Sequence, residues 1–96
     1  MVRIMEIRRL SDIHKYRNYK GHVDLHGFAI QQGYQIFNRV ITEAYFNDQK
    51  KITIITGQGM MMRELPIWCQ NNTYVRDYSQ HKHNPGSFTI KLKKRG

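Results

Sequence analysis

Ninety-six residues make one domain with a modest core, and an apolar content of 40% argues against wholesale disorder. No apolar run approaches the ~20 residues that span a bilayer, and a single cysteine, Cys69, excludes an internal disulfide and fits a reducing compartment. A net charge of +9 favours a polyanionic partner, because each neutralised phosphate releases condensed counterions.

That charge is segregated. Residues 1–22 hold six Lys/Arg and two acids, residues 23–72 four and four, and residues 73–96 six and one. The neutral middle carries the motifs and the two ends carry the charge. Nucleic acid, ribosomal RNA included, is the expected partner. A membrane surface is not, since no basic amphipathic helix is evident. The first residues carry scattered charge and no apolar h-region, which reads against a signal peptide and makes the cytoplasm the expected location.

In chain order, residues 1–20 are a basic lead-in. Ile4, Ile7 and Leu10 have helical spacing, so a short helix or an arm fits there. Tyr16 and Tyr19 lie among Lys15, Arg17 and Lys20, where they either stack on bases or pack against the domain. Val23–His26 reads as the first strand, with Gly27 as its turn. Ile30, Tyr34, Phe37, Val40, Ile41 and Ala44 then trace one stripe of an amphipathic helix over residues 30–46. Lys51–Thr56 is short and rich in β-branched residues, and reads as a buried strand. Met61, Leu65, Trp68 and Cys69 give residues 61–71 helical spacing, and Pro66 either starts that helix near Leu65 or kinks it. Val75–Tyr78 and Ser87–Leu92 are the last strands, joined by a polar loop over His81–Gly86. The Lys93-Lys94-Arg95 terminus is expected to fray.

The order is therefore β-α-β-α-β-β. A helix between two strands implies a parallel pair with a right-handed crossover, and the last two strands pair as a hairpin. The expected fold class is α/β in the α+β two-layer sense: a mixed four-stranded sheet with helices packed on it. The expected boundaries are a basic arm over 1–20, a domain over 21–93 and a basic tail over 94–96.

Asp24-Leu25-His26-Gly27 closes the first strand, and Thr56-Gly57-Gln58-Gly59 closes the second. In a parallel pair both motifs fall at the carboxyl ends, where open α/β sheets bind ligands. Alternate side chains share a strand face, so Asp24 and His26 should project together. Imidazole titrates near neutral pH, which suits His26 as proton carrier, with Asp24 orienting it. Alternatively, the pair caps the neighbouring loop. The Gly57-Gln58-Gly59 turn leads into a helix whose free N–H groups and positive dipole end suit a phosphate. Glycine there permits close backbone approach or a positive φ. A lone G-x-G is more often a structural turn, and its meaning comes from the neighbouring Asp-x-His. His81-x-His83 with His22 or His26 matches no strong zinc pattern, so no metal site is expected. Cys69, beside Trp68 on the apolar stripe, reads as core rather than as a nucleophile.

From Val23 to Lys93 the chain resembles the small MutS-related (Smr) domain family. The match rests on VDLHG at 23–27, Thr-Gly-x-Gly at 56–59, Leu65-Pro66-x-Trp68, and the final strand Gly86-Ser87-Phe88-Thr89-Ile90-Lys91-Leu92. The resemblance implies a β-α-β-α-β-β fold like the C-terminal domain of translation initiation factor three. It also implies binding of DNA or RNA, and often endonuclease activity that nicks DNA or cleaves RNA. It ties Asp24 and His26, as the catalytic pair, and Gly57 and Gly59 to activity. With those glycines, Gln58, Arg63, His83, Lys91, Lys93 and Lys94 are the candidate phosphate- and nucleic-acid-binding residues. No cofactor is fixed by the sequence, and a divalent ion (Mg or Mn) is one that such turnover could use. The alternative is a non-catalytic RNA- or ribosome-binding module.

The chain also departs from the family pattern. Gln32-Gly33 stands where a Glu-Ala pair is usual, and Gln58 where Lys is frequent. Met62, with Arg63 beside it, occupies the place of a frequent Arg, and the closing loop is thinned to His83-Asn84-Pro85-Gly86. Exchanging Lys for Gln removes a full positive charge from the region where transition-state charge develops, which bears on turnover more than on binding.

Overall fold

The computed structural model describes residues 21–95, so the arm expected over residues 1–20, with Tyr16 and Tyr19, lies outside the described residues. The elements in order are β1 (His22–Asp24), α1 (Ile30–Phe46), β2 (Lys51–Ile55), α2 (Met60–Gln70), β3 (Val75–Gln80) and β4 (Ser87–Leu92). They form the expected mixed four-stranded sheet, in the order β1-β2-β4-β3. β1 runs parallel to β2, with Val23 opposite Ile54. β4 runs antiparallel to both of its neighbours, pairing Ile52 with Ile90 on one side and Tyr78 with Ile90 on the other.

Each helix links a strand to a parallel strand further along the sheet in the same direction. Right-handed crossovers then put both helices on one face. The burial pattern agrees: Val23, Ile52, Ile54, Phe88, Ile90 and Leu92 are buried, while His22, Asp24, Lys51 and Lys91 beside them are exposed. The core lies between this face and Phe37, Val40, Ile41, Leu65 and Trp68 of the helices. The expected strand over Lys51–Thr56 is present as β2, with Ile52 and Ile54 buried. β2 is interior along the sheet, between β1 and β4, and among the described residues the helices pack on one of its faces.

Three local expectations change. β1 ends at Asp24 rather than His26. Leu25 N–H still donates to Ile55 O at 2.7 Å, but the next amide, that of His26, is captured by Asp24 Oδ1 at 2.9 Å, and the chain turns through Gly27 at φ +92°. α2 begins at Met60, directly after Gly59, and runs through Pro66 to Gln70 instead of starting near Leu65. Pro66 removes one helical hydrogen bond, to the Met62 carbonyl, without ending the helix. On α1 the buried stripe includes Gly33 and Ile36, while Tyr34 is 45% exposed and sets its ring edge-on to Trp68 at 5.3 Å. Gln32 closes the first turn of α1, its Oε1 accepting the Ala29 N–H at 3.0 Å. A Gln does this as well as the Glu the family pattern favours.

The basic terminus is tied down up to Arg95. Lys93 N–H donates to Tyr74 O at 2.9 Å, and Arg95 Nε lies 3.2 Å from Asp48 Oδ1. No helix among the described residues is long and apolar enough to cross a membrane.

Candidate nucleic-acid interface

Parallel pairing of β1 and β2 brings their two exits side by side. His26 turns off the end of β1, and Gly57 turns off the end of β2 at φ +75°. A methyl group placed on Gly57 would sit 3.3 Å from Cδ2 of His26, so the imidazole rests against the glycine backbone. A third segment closes the corner. The Gly86 carbonyl accepts the N–H of Thr56 at 2.6 Å and that of Gly57 at 3.3 Å. The buried Thr56 hydroxyl lies 2.8 Å from Gly57 O and 3.2 Å from Gly86 O. A Cβ on Gly86 would come within 2.7 Å of the Gly57 carbonyl, so only glycine fits there.

This geometry reassigns two groups. The Asp24 carboxylate receives the backbone amide of His26, and no bond from it to the His26 ring occurs among the described residues. Asp24 therefore shapes the turn that presents the ring, which is the capping alternative open at the sequence level. The expected set of free amides also shrinks, because Gly57 N–H is spent on Gly86. Gln58 and Gly59 N–H have no partner among the described residues, and they open directly into the first turn of α2. The start of α1 lies at the same sheet edge, five residues beyond β1. Two helix N-termini thus direct their positive ends to this corner. Gly59 has an extended backbone at φ −124°, and nothing lies within 4 Å of a Cβ placed on it. No contact within the described chain requires glycine at that position.

Arg63 is exposed on the first turn of α2, at the corner end of the helix. His83 is exposed in the loop leading to Gly86, a loop braced by Ser87 N–H to Asn84 O at 2.9 Å and by Gln80 Nε2 to Pro85 O at 2.7 Å. Lys91, Lys93 and Lys94 lie elsewhere. Lys91 pairs across the sheet with Lys51, at the start of β2, and the other two follow it. Five residues of strand separate Lys91 from Gly86, about 16 Å. These lysines do not converge with His26.

Among the described residues no three of His, Cys, Asp and Glu gather as metal ligands. His81 Nε2 is instead 2.8 Å from Thr89 Oγ1. Cys69 is buried on α2, and burial pushes its thiol up to about 12. A thiol so held stays protonated and unreactive at neutral pH.

Thr56 and Gly86 are the corner residues with no role assigned from the sequence. The Pro85-Gly86 turn signal marked the position, but a contact across 30 residues carries no local periodicity.

Comparison with solved structures finds the same fold. The Smr domain of Thermus thermophilus MutS2 superposes with a TM-score of 0.71 at 14% identity, covering 75% of this chain and 96% of that one. YdaL, a stand-alone small MutS-related protein from Escherichia coli, gives 0.68 at 15% identity over 79% of this chain and 66% of that one. The B3BP Smr domain gives 0.67 at 17% identity over 94% of each chain. No curated protein sequence matches. The Smr domain family model matches residues 23–92, nearly the whole of the described chain. The chain belongs to the Smr domain family.

Proposed function

We propose that this Smr domain binds nucleic acid at the corner formed by His26, Gly57 and Gly86, and that it cleaves phosphodiester bonds there. Smr domains in general bind nucleic acid. The observation that carries the reading is the seat of the His26 ring against Gly57, beside the unpartnered amides of Gln58 and Gly59. A phosphate held on those amides and on the α2 N-terminus sits within reach of an imidazole. That ring takes a proton from a 2′-hydroxyl in RNA, or from an attacking water with either nucleic acid. The two helix N-termini supply part of the positive potential that a Lys at position 58 would add. Arg63 and His83, exposed on the flanks, are the side chains that extend the phosphate contacts.

His26→Ala tests it. On supercoiled plasmid and on RNA, with and without Mg or Mn, the expected loss is about 100- to 10,000-fold in cleavage rate, with gel-shift affinity retained. Equal cleavage by the two proteins removes His26 from the chemistry.

Two observations favour a second reading, a non-catalytic module that binds RNA or the ribosome. The Asp24 carboxylate is spent on the turn rather than on the imidazole, and position 58 holds Gln. Retained binding with no product at high protein concentration selects this reading.

A further inference from the structure

Opposite the corner, at the start of β2, the chain builds a second basic feature. A groove of about 650 Å³ is lined by Lys50, Arg76, Lys93, Lys94 and Arg95, together with Asp48. Ten of the sixteen Lys and Arg residues lie in residues 21–95, and half of those ten meet at this groove. They arrive from three places: the loop before β2, the β3 strand, and the segment after β4. The segment is held in place, because Leu92 N–H donates to Lys50 O at 2.9 Å and Lys93 N–H donates to Tyr74 O at 2.9 Å. Among the described residues one acid lines the groove. Asp48, at φ +61°, takes Arg95 with both oxygens, at 3.2 Å to Nε and 3.3 Å to Nη2. The Arg95 guanidinium also lies over the half-exposed Phe46 ring at 5.8 Å.

Resting on the nucleic-acid reading above, we propose that this groove is a second backbone-binding site, and that one nucleic acid is held at both ends of the sheet. Four of its cations lack an acidic partner among the described residues, and a phosphodiester backbone is the ligand that presents regularly spaced anions to such a row. The distance also suits a duplex. Six residues of extended chain separate Lys50 from Thr56, about 20 Å. A duplex rises 3.4 Å along its axis per base pair, so about six base pairs span the axial distance between the two sites. Asp48 limits the groove by occupying Arg95, and neutralising it adds a cation.

The test is binding of a labelled 20-base-pair duplex, followed by anisotropy across a salt series. The proteins are wild type, the triple variant Lys50→Gln/Arg76→Gln/Lys94→Gln, and Asp48→Asn. All the exchanged residues are exposed, and circular dichroism checks the fold. The triple variant is expected to lower the slope of log affinity against log salt by about 2.7, and to bind about tenfold or more weakly at 0.1 M salt. Asp48→Asn is expected to shift both quantities the other way. A triple variant with wild-type slope and affinity overturns the groove and leaves the corner reading standing. Wild-type protein that does not bind duplex or RNA at any salt overturns both. Loss confined to anionic vesicles of phosphatidylserine, with duplex binding unchanged, overturns nucleic acid as the groove's partner.

Discussion

Three glycines of the corner meet different demands. Gly57 needs its positive φ, and Gly86 needs its missing Cβ, whereas Gly59 is extended and faces open space. Gly86→Ala is therefore expected to destabilise by about 1–3 kcal/mol, since the new methyl meets backbone that has no rotamer to escape into. For a domain of this size each kcal/mol lowers Tm by about 4–8 °C, readable by thermal melting. Gly59→Ala is expected to leave stability unchanged within about 0.5 kcal/mol and to weaken nucleic-acid binding. That split assigns the glycine at position 59 to the ligand rather than to the fold. A fall in Tm with Gly59→Ala, or none with Gly86→Ala, contradicts the assignment. Cys69 gives a pH-dependent counterpart. Burial raises its thiol from 9.0 to about 12, so the folded protein keeps a proton that the unfolded chain releases. The associated stability is complete below pH 9 and is lost as pH climbs towards 12. A thiol reagent at pH 8 is expected to label Cys69 only after denaturation. Rapid labelling of native protein contradicts the burial.

At the scale of elements, α1 and α2 meet at Gly33. A Cβ there would fall 2.7 Å from Met61 Cε and 2.8 Å from Sδ, the mobile end of a long side chain, with Trp68 behind it at 3.7 Å. Gly33→Ala is expected to be within about 1 kcal/mol of neutral, because the helix-propensity gain offsets the displacement of Met61. Gly33→Leu drives the helices apart and is expected to cost about 1–3 kcal/mol by denaturant melt. Equal melts for the two variants dismiss Gly33 as the contact point. The element order was legible in the sequence because each helix carries an apolar stripe at a spacing of three and four, as over residues 30–46, while short β-branched runs such as Lys51–Thr56 mark strands. What escaped was set by single hydrogen bonds. The Asp24 carboxylate takes one amide and ends β1 two residues early. The stripe on α1 moved from Tyr34 to Gly33 because a glycine carries no hydropathy signal, yet marks where another helix comes nearest.

At the scale of the whole molecule, charge follows the ends of the sheet. The motif-bearing end, where both parallel strands exit, carries helix dipoles, two exposed loops and Arg63. The other end carries Lys50, Arg76, Lys91, Lys93, Lys94 and Arg95. The sequence showed that its two ends were basic and that the last two strands form a hairpin, but not that β4 returns beside β2. That return sends Lys91 away from the glycine motif while delivering Gly86 to it. The fold class was thus readable from periodicity and motif, and the composition of the corner depended on register.

The register has a temporal consequence. Three donors, two from backbone amides and one from a hydroxyl, converge on the single oxygen of Gly86, thirty residues downstream of Thr56. A nascent chain that has emerged only as far as the second helix holds both signature motifs without the third segment that closes the corner. The corner is therefore completed last, with the closing hairpin, and a chain cut short before Gly86 lacks the carbonyl on which Thr56 and Gly57 close.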